Sequence, residues 1–234
     1  MLIVKVPFIN GLGKTIGCEK APSILVKNDE EIIVNNDNIK ESTEKIYKEA
    51  LRFLKTKEKV LFIGGDHSIS YPLVKAFSKV SKKKKCLVVF DAHVDCMPRM
   101  KEPTHEEWLR AVIEENLFDK IFLIGGRKVE PEEASFLKKR KEVLINSNLD
   151  SLIDSLVDCN VYLSIDIDVF DPAIAPGTGY REKKGLKLTG FYRLLDKIKD
   201  KAKVVDLVEV NPEKDLNGKT IKLARKIILR LMKN

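Results

Sequence analysis

The segment Cys86-Leu87-Val88-Val89-Phe90-Asp91-Ala92-His93-Val94-Asp95 runs from five apolar residues into three polar side chains at alternating positions. The apolar run predicts a buried strand. Side chains on an extended chain alternate between faces, so Asp91, His93 and Asp95 are expected to converge on one side. Two carboxylates and an imidazole on one face are costly to bury unless a cation lies among them. The segment therefore predicts a buried strand that ends at a cation site.

Short apolar runs alternate with helical patterns along the rest of the chain. Most of the runs are rich in Val, Ile and Leu without polar alternation, which is typical of parallel strands covered on both faces. Predicted strands span residues 2–6, 31–34, 60–63, 86–90, 121–124, 143–145, 161–167 and 204–210. Predicted helices span 39–55, 71–80, 105–117, 131–139, 149–157, 190–199 and 217–231. The alternation favours one doubly wound α/β domain over residues 1–234, with a mostly parallel sheet of about eight strands.

Polar clusters follow five of the predicted strands. They are Gly64-Gly65-Asp66-His67, Asp91–Asp95, Gly125-Gly126-Arg127, Asp166–Asp168 and Glu209-Val210-Asn211-Pro212. In open parallel sheets, binding sites form at the carboxyl ends of the strands. These clusters are therefore expected to meet at one edge of the sheet and to form a site there.

The candidate ligands are two histidines and four aspartates: His67, Asp91, His93, Asp95, Asp166 and Asp168. A structural zinc site would favour Cys and His, whereas many oxygen donors with a few imidazoles suit harder octahedral ions such as Mn²⁺. Six ligands are too many for one ion that keeps a position open for substrate. Two Mn²⁺ ions that share bridging carboxylates would use all six, and would activate a water held between them.

The bulk composition limits the other possibilities. The net charge is +8, but the lysine run 82–85 contains no aromatic residues, so a solvated loop explains it better than a nucleic-acid surface. No apolar run approaches the roughly 18–20 residues that a membrane span needs, and the N-terminus does not resemble a signal peptide. The four cysteines have no C-x-x-C spacing, which favours reduced thiols in a cytoplasmic protein.

The strand-end clusters resemble those of the ureohydrolase superfamily, the arginases and agmatinases. The resemblance rests on Gly64-Gly65-Asp66-His67-Ser68, on Asp91-Ala92-His93-Val94-Asp95 and on Ser164-Ile165-Asp166-Ile167-Asp168-Val169-Phe170-Asp171-Pro172. It also includes Val208-Glu209-Val210-Asn211-Pro212, and the motifs occur in the family's order.

The resemblance implies a three-layer α/β/α sandwich and a binuclear manganese site. By position, His67 and Asp95 would bind one ion, His93 and Asp168 the other, and Asp91 and Asp166 would bridge both. It also implies hydrolysis of a guanidino compound to urea and an amine in a homo-oligomer, commonly a trimer or hexamer.

Two further residues acquire roles from the resemblance. His105 is similar to the family's loop histidine, which passes a proton to the leaving amine, and Glu209 to the carboxylate that holds the guanidinium. Asp91, as a bridging ligand, would share in catalysis. Alternatively, His105 could merely flank its helix and Glu209 could be a strand-end charge. Asp66 and Asp171 are interpreted as structural hydrogen-bonding residues.

The substrate is the open question. The loop from Asp95 to His105 lacks the Asn/Ser-rich stretch with which arginases bind the α-amino and carboxylate groups, which favours agmatine over L-arginine. Pro176-Gly177-Thr178-Gly179 resembles the agmatinase form, but the following segment 180–185 departs from the family pattern. Arg127 and Arg181 could meet a substrate carboxylate or be surface charges.

Several alternatives to an agmatinase therefore stay open. They are an arginase, a formiminoglutamase or guanidino-acid hydrolase, and a ureohydrolase-fold protein that binds metal without catalysis. A basic nucleic-acid-binding module predicts steeply salt-dependent binding and has little support in the sequence.

Overall fold

The computed structural model describes residues 1–27, 30–147 and 149–233. Its described part contains one seven-stranded sheet in which every pairing is parallel, with strand order β1-β2-β7-β6-β3-β4-β5. The strands are β1 (Leu2–Val6), β2 (Val60–Gly64), β3 (Lys85–Phe90), β4 (Lys120–Ile124), β5 (Val143–Ile145), β6 (Asn160–Asp166) and β7 (Ala202–Val208). The predicted mostly parallel α/β sheet is confirmed.

Helices cover both faces of this sheet. They are α1 (Ala21–Leu25), α2 (Ile39–Thr56), α3 (Ser70–Val80), α4 (Trp108–Glu114), α5 (Pro131–Leu137), α6 (Leu149–Ser155), α7 (Leu188–Ile198) and α8 (Lys219–Met232). Helices α2 to α5 pack with one core cluster, and α1, α6, α7 and α8 with a second cluster on the opposite face. The architecture is the α/β/α sandwich that the resemblance implies.

Strand β3 shows why an apolar run without polar alternation forms a central strand. Leu87 and Val89 belong to one core cluster, whereas Cys86, Val88 and Phe90 belong to the other. Because both faces of the sheet are covered, the side chains of such a strand are mostly apolar. Among the described residues, none of the helices combines the length and apolar character needed to cross a membrane.

One predicted strand is wrong. Residues 31–34 form no strand: Glu31 makes an isolated bridge with Lys5 of β1, and the Ile32 N–H donates to the Lys5 carbonyl at 2.9 Å. Ile32 is buried, but Ile33 is 69% exposed, so only one side of this apolar run reaches the core. The described sheet therefore has seven strands rather than about eight.

Two helices also differ from the prediction. Helix α1, with Pro22 in its first turn, was not predicted, and α4 is shorter than the predicted helix 105–117.

Candidate metal centre

Four adjacent strands, β2, β7, β6 and β3, carry the candidate site at their carboxyl ends. His67 begins a 3₁₀ turn after β2, and Asp91 follows β3 directly. Asp166 ends β6, with Asp168 in the 3₁₀ turn that follows. Glu209 follows β7. The parallel sheet thus brings together residues separated by more than 140 positions in sequence.

The first group of side chains surrounds the His67 ring. Its Nδ1 lies 3.0 Å from Asp91 Oδ2, 3.2 Å from Asp95 Oδ2 and 3.3 Å from Asp166 Oδ2. His67, Asp91 and Asp95 are close enough to share one cation. Asp95 reaches His67 because its backbone is left-handed, with φ 45°, and Trp108 Nε1 donates to its Oδ2 at 2.7 Å.

The second group surrounds the His93 ring. Its Nδ1 lies 2.8 Å from Asp168 Oδ2 and 3.6 Å from Asp91 Oδ1. Asp91, His93 and Asp168 are close enough to hold a second cation. Asp91 therefore belongs to both groups, because one of its carboxylate oxygens faces His67 and the other faces His93.

The expected alternation of side chains along a strand does not explain why Asp91, His93 and Asp95 lie close together. Strand β3 ends at Phe90, and the three residues lie in a bend beyond it. His93 consequently joins the second group, whereas Asp95 turns towards the first.

The arrangement fits a bound metal. His67 Nε2 is 2.8 Å from Ser164 Oγ, which donates to Asp206 Oδ1 at 2.6 Å. Nδ1 is buried and has no hydrogen-bond partner, although three carboxylate oxygens crowd around it. A ring nitrogen that faces carboxylates without hydrogen-bonding geometry is suited to share a cation with them. The chain through Ser164 to Asp206 would fix the tautomer that presents Nδ1.

The electrostatics of the carboxylates agree with this interpretation. Burial, together with the charges of Asp168 and Asp91, raises the pKa of Asp166 well above its usual range. Burial also raises the pKa of Asp95, and the charge of Asp91 adds to the shift. Burial opposes the charged form of Asp168, but hydrogen bonding and the charge of His93 lower the pKa of that carboxyl. Crowded buried carboxylates of this kind are stabilised by a cation placed among them.

His105 and Glu209 both line the same cavity, which measures about 320 Å³. His105 lies in the loop before α4 and is 5% exposed. Glu209 has a left-handed backbone with φ 62°, and its Oε1 accepts a hydrogen bond from the backbone N–H of His67 at 3.0 Å. The cavity is also lined by Lys14, His67, His93, Asp95, Met97, Glu106, Lys128, Glu130, Glu133, Asp166, Asp168, Tyr180 and Glu182.

Arg127 and Arg181 hold backbone segments in place. The Arg127 guanidinium donates to the carbonyls of Asp168 at 2.8 Å and of Lys183 at 2.9 Å, among others. Arg181 donates to the carbonyls of Pro176 at 2.8 Å and of Lys214 at 3.0 Å. Both guanidinium groups therefore bind backbone carbonyls next to the cavity, although Arg181 is also exposed at the surface.

Asp66 and Asp171 have the structural contacts expected of them. Asp66 Oδ2 accepts hydrogen bonds from Asn10 N and Thr15 Oγ1, both at 2.7 Å. Asp171 accepts backbone hydrogen bonds from Ala173 at 3.0 Å and Lys184 at 2.8 Å.

Sequence reasoning missed the residues that support the site. Asp206 is fully buried and accepts from Ser164, Tyr162 and Ser70. A charged residue inside the apolar run Val204–Val208 is a signal that could have revealed it. Tyr180, at the start of the segment that departs from the family pattern, contacts both His93 and His105.

Comparison with known proteins agrees with the motifs and the fold. Residues 10–233 match the arginase family. The chain is 30% identical over 209 residues to an agmatinase of Photorhabdus laumondii, covering 86% of this chain and 68% of that protein. It is 30% identical over 188 residues to the mitochondrial arginase 1 of Arabidopsis thaliana, covering 73% of this chain but only 53%, about half, of the plant protein.

A solved structure shows the same fold. The proclavaminate amidino hydrolase of Streptomyces clavuligerus superposes with a TM-score of 0.86 at 25% identity, covering 98% of this chain and 89% of that one. With its family match spanning nearly all described residues, the chain belongs to the arginase family.

Proposed function

We propose that this chain is a binuclear, manganese-dependent amidinohydrolase that cleaves agmatine to urea and an amine, built as a single ureohydrolase-like domain over residues 1–234. The observation that carries the proposal is the pair of histidine–carboxylate groups that share Asp91 and line one cavity through their other members. His105 and Glu209 line the same cavity. This combination provides ligands, a proton carrier and a substrate-binding carboxylate in one place.

Six residues would hold the ions: His67, Asp91, His93, Asp95, Asp166 and Asp168. Two Mn²⁺ ions, when bound, supply an activated water as nucleophile. Carboxylates outnumber imidazoles among these six ligands. Such an oxygen-rich set suits Mn²⁺, whereas structural zinc favours a tetrahedral set of Cys and His.

The remaining steps belong to side chains of the protein. Glu209, with its carboxylate in the cavity wall, would bind the guanidinium by charge-assisted hydrogen bonds. His105 would donate a proton to the amine as the C–N bond breaks. Its two ring nitrogens are buried and make no hydrogen bond with described residues, so they are available to a substrate.

The charges around the cavity support agmatine, whose tail is a cationic amine. The lysines that line the cavity are paired, Lys14 with Glu106 at 3.2 Å and Lys128 with Glu130 at 2.8 Å. Glu182 also lines the cavity, and its Oε1 lies 3.8 Å from His93 Nε2. A cationic tail would be attracted to such a wall, whereas a carboxylate would have to displace an existing ion pair.

A second candidate is a substrate with a carboxylate, such as L-arginine, a guanidino acid or formiminoglutamate. It is favoured by the same two lysines, because exposed ion pairs are weak and can exchange partners. Side-chain exposure of the Lys14–Glu106 pair is 55% and 32%, so that exchange would cost little.

The test is urea release by Mn²⁺-loaded protein from agmatine, arginine and guanidinobutyrate, with formamide release from formiminoglutamate measured in parallel. Agmatine is expected to give the highest kcat/KM. A higher value for arginine would overturn the agmatine assignment but keep the reaction class. About two metals per chain with no product from any substrate would indicate a non-catalytic metal-binding role. Asp91→Asn serves as the inactive control.

A further inference from the structure

The segment 180–185 places an aromatic ring, that of Tyr180, in the cavity wall. The Tyr180 ring stacks on the His105 ring, with centroids 5.8 Å apart and 25° between the planes. It meets the His93 ring edge-on, with centroids 5.6 Å apart and 69° between the planes. Tyr180 thus lies between the second candidate metal group and the candidate proton carrier.

The His105 ring is held by contacts other than hydrogen bonds of its nitrogens to described residues. The side chain is buried, yet neither ring nitrogen has a hydrogen-bond partner among the described residues. Glu106 Oε1 lies 3.8 Å from Nε2, beyond hydrogen-bonding distance. Buried polar groups are usually held by hydrogen bonds, so an imidazole without them must be held by packing.

Tyr180 is itself held in place from two other loops. Its hydroxyl donates to Glu106 Oε1 at 3.2 Å. Lys14 Nζ donates to the same oxygen at 3.2 Å and lies 5.6 Å from the centre of the Tyr180 ring. The ring is therefore fixed by a hydrogen bond and a cation–π contact, and can in turn fix its neighbour.

We infer that Tyr180 is a positioning residue, whose ring holds the His105 imidazole by stacking so that both ring nitrogens stay free to serve the substrate. The catalytic consequence rests on the proposed function, whereas the stacking does not. The ring, not the hydroxyl, contacts His105. Phenylalanine loses the hydrogen bond to Glu106 but keeps the ring and its cation–π contact with Lys14, so it retains the stacking, whereas alanine does not.

The stacking is tested by NMR without any substrate or metal. The chain has three histidines, so His105→Asn identifies the His105 Cε1–H signal in metal-free protein. The shielding of that proton by the Tyr180 ring is expected to persist in Tyr180→Phe and to be lost in Tyr180→Ala, with the His67 signal as the internal control. An unchanged His105 signal in Tyr180→Ala would overturn the inference.

The consequence for turnover is tested with the substrate found above. Tyr180→Ala is expected to lower kcat by about tenfold or more with little change in KM and with full metal content, because small misplacements of a catalytic group are costly. Tyr180→Phe should stay within about twofold of wild type. In a His105→Asn background, Tyr180→Ala should cause little further loss, since residues that act as a unit are not additive.

These measurements separate the two proposals. If the wild-type protein shows no turnover but does show the shielded His105 signal, the proposed function is overturned and the stacking is not. Additive losses in the double variant would show that Tyr180 does not act through His105, and would overturn the inference.

A second, independent observation lies at the opposite edge of the sheet. Cys86 is at the amino end of β3, and Cys159 directly precedes β6, which pairs with β3. Both thiols are free, and their Sγ atoms lie 2.7 Å apart. Both lie near the carbonyl oxygen of Ser155, Cys86 at 3.6 Å and Cys159 at 3.2 Å.

The geometry points to a modification site at which Cys86 and Cys159 form a disulfide on exposure to a small-molecule disulfide. The half-buried Cys159 would attack the reagent as thiolate, releasing one thiolate and forming a mixed disulfide. Cys86 would then lose its proton and displace the second thiol, so two protein thiols are oxidised as one reagent disulfide is reduced. Burial and the neighbouring Cys159 raise the pKa of Cys86 to about 12, which makes the second step the slower one.

The test is incubation of the folded protein with glutathione disulfide, followed by mass spectrometry of non-reduced peptides. A Cys86–Cys159 cross-link is expected in wild type, and a persistent glutathione adduct at Cys159 in Cys86→Ser. Unmodified thiols, or an adduct in wild type that never resolves, would overturn the assignment.

Discussion

Asp91 is the residue on which both candidate metal groups depend. Its Oδ2 is 3.0 Å from His67 Nδ1, and its Oδ1 is 3.6 Å from His93 Nδ1. A carboxylate placed between two imidazoles in this way can bridge two cations. Among the described residues, Asp95 lies close to the His67 ring alone, and Asp168 lies close to the His93 ring alone.

Asp91→Asn is therefore expected to impair both groups at once. The amide lacks the negative charge that a bridging ligand contributes, so bound Mn²⁺ should fall from about two per chain to less than one. Metal analysis after gel filtration in Mn²⁺-containing buffer measures this, with Glu44→Gln on the exposed face of α2 as the matched control. Wild-type metal content in Asp91→Asn would contradict the bridging role.

At the scale of elements, Arg127 connects the loop after β4 to the turn after β6 and to the segment 180–185. Its guanidinium donates to the carbonyls of Asp168, Val169, Glu182 and Lys183, among others. The planar fork of arginine can serve several carbonyls at once, and a lysine ammonium cannot reproduce that geometry. Arg127 thus links three segments next to the cavity.

Arg127→Ala is expected to lower the free energy of unfolding by about 2–4 kcal/mol, because it leaves several carbonyls without their charged donor. It should also loosen the segment 180–185, so trypsin should cleave at Lys183 or Lys184 faster than in wild type. Urea denaturation and limited proteolysis measure the two effects, and Arg127→Lys should rescue neither fully. Wild-type resistance to trypsin would argue against the linking role.

The contact between α3 and the end of α4 contains a hydrogen-bond network centred on Glu115. Tyr71 of α3 donates to Glu115 Oε1 at 2.6 Å, and Arg99 donates to the same oxygen at 2.6 Å. Burial alone would raise the pKa of Glu115, but these hydrogen bonds and the charges of Lys75 and Arg99 lower it. A carboxyl whose pKa is lower in the folded state stabilises the fold above its unfolded pKa.

Glu115→Gln is expected to lower the urea midpoint at neutral pH. The difference from wild type should shrink as the pH falls below the ordinary glutamate pKa of about 4.3 and then through the lowered folded-state pKa, because the wild-type carboxyl then becomes protonated as well. Urea titrations at several pH values test this, with Glu44→Gln as an exposed control. A difference that stays constant with pH would mean that the contribution is not electrostatic.

At the scale of the whole molecule, the candidate metal centre lies at the carboxyl ends of four adjacent strands, so a bound metal would connect them. A metal that binds only the folded state stabilises it by mass action, by about 2.7 kcal/mol at a concentration one hundred times Kd. For a chain of this length, that corresponds to a rise in Tm of about 5–10 °C. We expect Mn²⁺ to raise Tm by this amount relative to chelator-treated protein.

The control for this effect is Asp91→Asn, in which Mn²⁺ should hardly change Tm. Differential scanning calorimetry of both proteins, with and without chelator, separates metal binding at the site from general salt effects. An equal rise in both proteins would show that the stabilisation comes from elsewhere on the surface.

Most strands and the candidate ligands were predictable from the sequence, because each is indicated by a short run of neighbouring residues. Seven of eight predicted strands are present, and the candidate ligands follow them because parallel sheets place binding residues at carboxyl ends. The failed strand, 31–34, is an apolar run of which Ile32 is buried and Ile33 exposed. Periodicity cannot distinguish an apolar run buried on both sides from one that reaches the core on one side only.

The sequence by itself therefore determined the α/β class, the membership in the arginase family and the set of candidate ligands. Only the tertiary structure decided how these ligands divide into two groups around Asp91, that Arg127 and Arg181 bind backbone carbonyls, and that Tyr180 stacks on His105. The physical reason is that residue type and spacing specify which groups a strand end offers. The direction in which each group points depends on loop backbones, such as the left-handed Asp95 and Glu209, and on neighbours that are distant in sequence.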